Sequence, residues 1–167
     1  MTPFQSELLN RIEAFSFDLP ETKFTFAQRL ARENGWSAGM ARRVLREYRR
    51  FVFLAVEAGH AVCPSEAVDQ AWHQHLTFTQ NYWEDFCGQV LGKPLHHGPT
   101  RGGRREEVKH HEMYERTLES YRQFFGHDAP PDLWPPAAAR FAEGGDYVRV
   151  NRKKVWVLPK PAWLRQA

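Results

Sequence analysis

Disulfide frameworks, membrane spans and the familiar catalytic words are all missing from this chain. It has two cysteines, Cys63 and Cys87, too few for a disulfide framework and not spaced as CxxC. Reduced thiols in a cytoplasmic protein are therefore expected. No apolar run approaches the roughly 20 residues that span a bilayer, so no membrane role is expected. The opening residues, MTPFQSELLNRIEAF, carry charges and no cleavage-site pattern, so no signal peptide is read there. There is no HExxH, no glycine-rich phosphate loop and no GxSxG elbow. Internal repeats and low-complexity tracts are absent as well. Charge of one sign is scarce: 23 Lys and Arg face 20 Asp and Glu, for a formal net charge of +3.

What is present is enough for a folded core. Hydrophobic residues make up 42% of the 167 and aromatics 14%, which argues against disorder. A chain of this length buries most of its surface without a staple. Thr2-Pro3 opens a helix over 3–16, with Phe4, Leu8, Ile12 and Phe15 at helical spacing. A second helix covers 25–34, with Gly35 at a left-handed cap position. Ser37 starts a third, reaching about Ala58, whose apolar stripe is Met40, Val44, Tyr48, Phe51, Val52 and Ala55. Ser65 starts a fourth to about Phe78, and a fifth runs over 79–90. Thr77 and Thr79 are break points, though one continuous helix also fits the pattern. A sixth helix is expected over 105–125, and a short turn of helix over 137–142. The tail, from Tyr147-Val148-Arg149-Val150 to Val155-Trp156-Val157-Leu158, alternates as a small β-hairpin would. The expected fold class is thus mainly α: one multi-helix domain of about five to six helices over 1–142, with a C-terminal β-hairpin tail over 143–167 packed on it.

Chemistry concentrates between Ser65 and His97, which holds four of the eight histidines. Asp69 and His73 stand one helical turn apart and share a face. A carboxylate beside an imidazole can fix its tautomer, or both can ligate one divalent ion. His73 and His75 lie about 200° apart on a helix, so both reach one ion only if the helix breaks near them. His96 and His97 follow Pro94 on a loop, where adjacent side chains are placed freely. The candidate metal ligands are therefore Asp69, His73, His96 and His97, with His75 and Cys87 as lesser alternatives. Zinc or a similar divalent ion suits such nitrogen and oxygen donors. Tyr48, Arg49, Trp72 and Tyr82 are the candidate pocket-lining residues.

Several ordered words resemble the glycine-rich domain-containing protein-like family. They are Glu47-Tyr48-Arg49-Arg50-Phe51, Val62-Cys63-Pro64-Ser65, Val68-Asp69-Gln70-Ala71-Trp72-His73-Gln74-His75-Leu76 and Leu95-His96-His97-Gly98-Pro99. The resemblance spans roughly residues 24–136 and continues through Tyr114, Tyr121 and Leu133-Trp134-Pro135. It implies a helical domain of the kind found as short stand-alone bacterial proteins, with the Asp, Trp and His residues as its motif. It implies no established enzymatic activity. The 11 glycines here are scattered, unlike the glycine-rich tail of plant members.

Two functional readings follow. In the first, the Asp and His residues hold a divalent ion. An open metal position would support hydrolysis, with Glu66 or His75 as general base. In the second, the motif is a structural polar network, and the chain is an interaction module. An acidic protein or nucleic acid would then meet Arg42, Arg46 and Arg50, or Arg152, Lys153 and Lys154. The same histidine cluster also predicts stability that changes between about pH 5 and 7.

Overall fold

Four side-chain hydroxyls set the first four helix starts. Thr2, Thr25, Ser37 and Ser65 each accept a hydrogen bond from the amide three residues on, at Gln5, Gln28, Met40 and Val68. Each such cap contributes about 1 kcal/mol. Gln5 and Gln28 return the bond to the Thr2 and Thr25 amides, closing two capping boxes. In the computed structural model, which describes residues 1–98, 103–142 and 156–158, these starts open α1 (Pro3–Ala14), α2 (Phe26–Asn34), α3 (Ala38–Glu57) and α4 (Glu66–Leu76). A π-helix follows (Asn81–Leu91), then α5 (Arg104–Phe125) and the single turn of α6 (Ala137–Arg140).

α3 runs through the middle and packs against α1, α2, α4 and α5. Its stripe of Val44, Tyr48, Phe51 and Val52 is fully buried, as the spacing requires. One polar residue lies in that stripe. Glu47 is buried and accepts from the Tyr121 hydroxyl at 2.9 Å, the Trp134 indole at 3.1 Å and Arg50 at 3.1 Å. Arg50 also donates to the Tyr121 hydroxyl. This knot ties α5 and the Leu133-Trp134 segment to α3. Arg49 ties α1 in turn, donating to the carbonyls of Ile12 and Phe15 at 3.3 and 2.8 Å while lying 4.5 Å over the Phe17 ring.

α4 breaks where threonine permits it. The Thr77 hydroxyl donates to the Gln74 carbonyl at 2.7 Å, and its amide turns to the same carbonyl at 3.1 Å. Residues 65–91 are therefore two helices, the second wound with i→i+5 bonds for eleven residues. Gly92, at φ 68°, ends it in the left-handed conformation.

Two parts of the expected fold class are corrected. Seven helices are present among the described residues rather than five to six. The described residues also contain no strand, so the C-terminal β-hairpin is withdrawn. Trp156, Val157 and Leu158 carry no regular structure and are 94%, 62% and 79% exposed. An alternating pattern makes a stable strand only where one face is covered, and these three side chains are exposed. The remainder of the proposed hairpin, with Arg152, Lys153 and Lys154, lies outside the described residues.

Candidate metal centre

The Ser65 cap fixes the first turn of α4, and the 3.6-residue period then stacks Asp69 below His73. His73 Nε2 lies 3.4 Å from Asp69 Oδ2. The loop leaving the π-helix brings in His97, whose Nε2 is 2.8 Å from Asp69 Oδ1 and 3.1 Å from His73 Nε2. One ligand atom from each of the three residues lies within 4.8 Å of the others, close enough to bind one metal ion. In a tetrahedral zinc site with bonds near 2.0–2.1 Å, neighbouring ligand atoms are about 3.3 Å apart. The separations here, taken to the nearer Asp69 oxygen for each ring, lie around that value.

Proton counting sharpens the point. A carboxylate has only lone pairs to offer, and a neutral imidazole nitrogen has either a proton or a lone pair. With no cation, one Nε2 must carry the proton that bridges the two rings or reaches Asp69. With both protons on Nδ1, three lone pairs converge on one spot, which is the arrangement a cation requires.

The surrounding residues hold His97 in place. The Trp72 indole meets the His97 ring edge-on, with centroids 4.4 Å apart. Its Nε1 donates to the Tyr82 hydroxyl at 2.8 Å, and that hydroxyl donates to the Leu95 carbonyl at 2.5 Å. Burial keeps the Tyr82 phenol protonated, well above its ordinary pKa, so it remains a donor. The chain is thus pinned two residues before His97. Asp69, Trp72 and His73 of one helical word all act on the same spot.

The other expected site residues are placed elsewhere. His96 is exposed, its ring 5.4 Å from that of Trp83, and it lines the cavity beside the triad without joining it. His75 turns into the core, as the 200° separation implies. It is fully buried among Phe17, Phe26, Tyr82 and Phe86. Its Nε2 donates to Asn81 Oδ1 at 2.9 Å, and its Nδ1 accepts from the Tyr48 hydroxyl at 2.9 Å. Both nitrogens are committed, and burial pushes its pKa down to about 4. Tyr48 is buried with it, and Arg49 serves the end of α1. Cys87 is buried, free and held protonated by its burial. Glu66 pairs with Arg140 at 3.7 Å. Of the basic residues on α3, Arg50 is spent on Glu47 and Arg43 on Asp132 at 2.7 Å, whereas Arg42 and Arg46 are exposed.

A cavity of about 510 Å³ opens beside the triad. Asp69, His73 and His97 form one side, and Val62, Met113 and Phe141 contribute apolar wall. Cys63 also lines it, but burial pushes that thiol up to about 11, so it is not a thiolate nucleophile at neutral pH. Sequence reasoning missed the walls from α5 and α6. Only the period of α5, which turns Met113 toward the same side as Tyr114 and Thr117, hinted at them. Glu47 was missed too, although a carboxylate between Val44, Tyr48 and Phe51 on an apolar stripe is a readable signal of a buried partner.

A family model described as UCP032817-like matches residues 10–125, more than half of the chain. The chain belongs to the UCP032817-like family. That family is uncharacterised, and it replaces the glycine-rich domain-containing protein-like family as the assignment; no glycine-rich domain family is shown. The D-x-x-W-H word that carried the earlier resemblance is a local device, a helix turn that sets a carboxylate, an indole and an imidazole around one point. Such a word can suggest the wrong family while still marking a real cluster. No curated protein and no solved structure matches the chain. The UCP032817-like match includes all three triad residues and ends before α6. No helix of the described residues is long and apolar enough to cross a membrane.

Proposed function

We propose that this UCP032817-like protein binds one divalent metal ion through Asp69, His73 and His97, with zinc the ion best suited to two imidazoles and a carboxylate. The observation that carries this reading is the convergence of three ligand groups from two separate elements: the two Nε2 atoms lie 3.1 Å apart, with His97 Nε2 2.8 Å from Asp69 Oδ1 and His73 Nε2 3.4 Å from Asp69 Oδ2. Three protein ligands and an adjoining cavity are what catalytic rather than structural zinc sites have. An ion with an open position there would lower the pKa of bound water and support hydrolysis. Trp72 and Tyr82 orient the loop, and His75, Tyr48 and Arg49 hold the scaffold. The two unpaired cysteines fit a reducing compartment, the cytoplasm.

The test is elemental analysis of untagged protein beside Asp69→Asn and His73→Ala variants. One equivalent of metal in the parent, lost in both variants, is expected. A metal-free parent that resists zinc loading, with variants that merely melt earlier, would make the triad a latch that docks the loop onto α4. The 2.8 Å hydrogen bond from His97 to Asp69 is the observation that favours that second reading.

A further inference from the structure

Among the described residues, Arg140 is the one arginine lining the cavity, and its guanidinium makes no hydrogen bond to them. Its side chain is only 20% exposed. Its Nε is buried with no hydrogen-bond partner among the described residues. Its ion pair with Glu66, at 3.7 Å, is too long for a hydrogen bond. The guanidinium otherwise rests 5.2 Å from the Phe141 ring. A buried donor left unpaired costs about 1–3 kcal/mol, so this group is arranged at some expense to stability. Guanidinium offers a planar fork that matches carboxylate or phosphate oxygens in pairs.

We propose that the cavity takes a small organic anion, its acidic group held between Arg140 and the Asp69–His73–His97 centre and its carbon skeleton against Val62, Met113 and Phe141. This rests on the metal reading above, because the ion would supply the second positive pole. The cavity has the matching polarity. A divalent ion bound at the triad would outweigh the single Asp69 charge and leave that end of the cavity positive. Glu107, the other carboxylate on the lining among the described residues, is exposed, and His110 beside it is drawn toward Glu106 at 3.7 Å. The remaining wall is largely apolar, so a bare inorganic ion would leave most of about 510 Å³ unfilled. Arg140 lies beyond the residues matched by the family model.

The experiment is calorimetric titration of untagged, zinc-loaded protein with phenyl phosphate, benzoate and benzyl alcohol, with zinc content measured on every sample. At least one anion is expected to bind tenfold or more tighter than the alcohol. Arg140→Met is expected to remove that preference while zinc stays stoichiometric. Arg140→Lys, which keeps the charge but not the fork, is expected to weaken anion binding severalfold and serves if the Met variant does not fold. Anions that bind no tighter than benzyl alcohol, or folded Arg140 variants that bind them as the parent does, would overturn the proposal. A parent that takes up no zinc refutes the metal reading separately. The same titration on that metal-free protein then decides for Arg140 alone: a preference for anions lost in Arg140→Met supports it, and no preference overturns it.

Discussion

His73 and His75 stand two positions apart on α4 and meet opposite surroundings. One faces a carboxylate, a second imidazole and a cavity. The other is enclosed by aromatic rings and held between Tyr48 and Asn81. Enclosure has a consequence for stability. The unfolded chain protonates His75 near its ordinary pKa of 6.5, whereas the folded chain does so only near about 4. The stabilisation is complete above pH 6.5 and is lost as pH falls toward 4, because only the unfolded state binds the proton across that window. Two and a half pH units correspond to about 3 kcal/mol. Urea unfolding followed at pH 7, 5.5 and 4.5 is expected to show this decline, and His75→Gln is expected to flatten it. An equal slope in the variant would assign the decline to other groups. Helical period separates these two histidines in the sequence, but it left His75 open as a lesser ligand because a break in the helix could have turned it back. The choice between His96 and His97 was not legible, because adjacent loop residues differ only in which way the backbone turns, and that is set by Tyr82 reaching Leu95.

Tyr82 shows how elements cooperate. It rises from the π-helix, takes a hydrogen bond from α4 through Trp72, and passes one to the loop. Tyr82→Phe removes only the hydroxyl. It is expected to cost about 1–2 kcal/mol of stability, because the buried Trp72 indole and Leu95 carbonyl both lose a partner. If the triad holds zinc, the looser loop is expected to lower zinc affinity roughly tenfold. Competition with a chromogenic chelator measures the second effect and a melting curve the first. Unchanged affinity with lowered stability would confine Tyr82 to the scaffold. The element boundaries were readable wherever a hydroxyl cap or a glycine stood: Thr2, Thr25, Ser37 and Ser65 at the starts, Gly35 and Gly126 at the ends. The winding of residues 81–91 was not readable. Tyr82, Phe86, Cys87 and Leu91 recur at four and five residues, and an α-helix shows the same short-range spacing. The tail misled for a related reason, because β-branched alternation describes a strand only when something packs on it.

For the whole molecule, a ligand that binds only the folded state raises stability by mass action. Zinc at about a hundred times its dissociation constant would add about 2.7 kcal/mol, raising the melting temperature on the order of 5–10 °C for a chain of this size. Scanning calorimetry with zinc and with chelator measures the shift, and no shift at saturating zinc would count against the metal reading. The core behind the site came largely from apolar spacing, whereas its polar pegs did not. Glu47, Tyr48 and Arg49 are consecutive on α3, and each grips a different neighbour. Glu47 holds Tyr121 and Trp134, Tyr48 holds His75, and Arg49 holds the end of α1. α3 is thereby keyed on three sides like a shaft in its housing. Rolling or sliding it would strain the bonds to all of these neighbours. The floor beneath the Asp69–His73–His97 cluster is therefore braced from several directions at once.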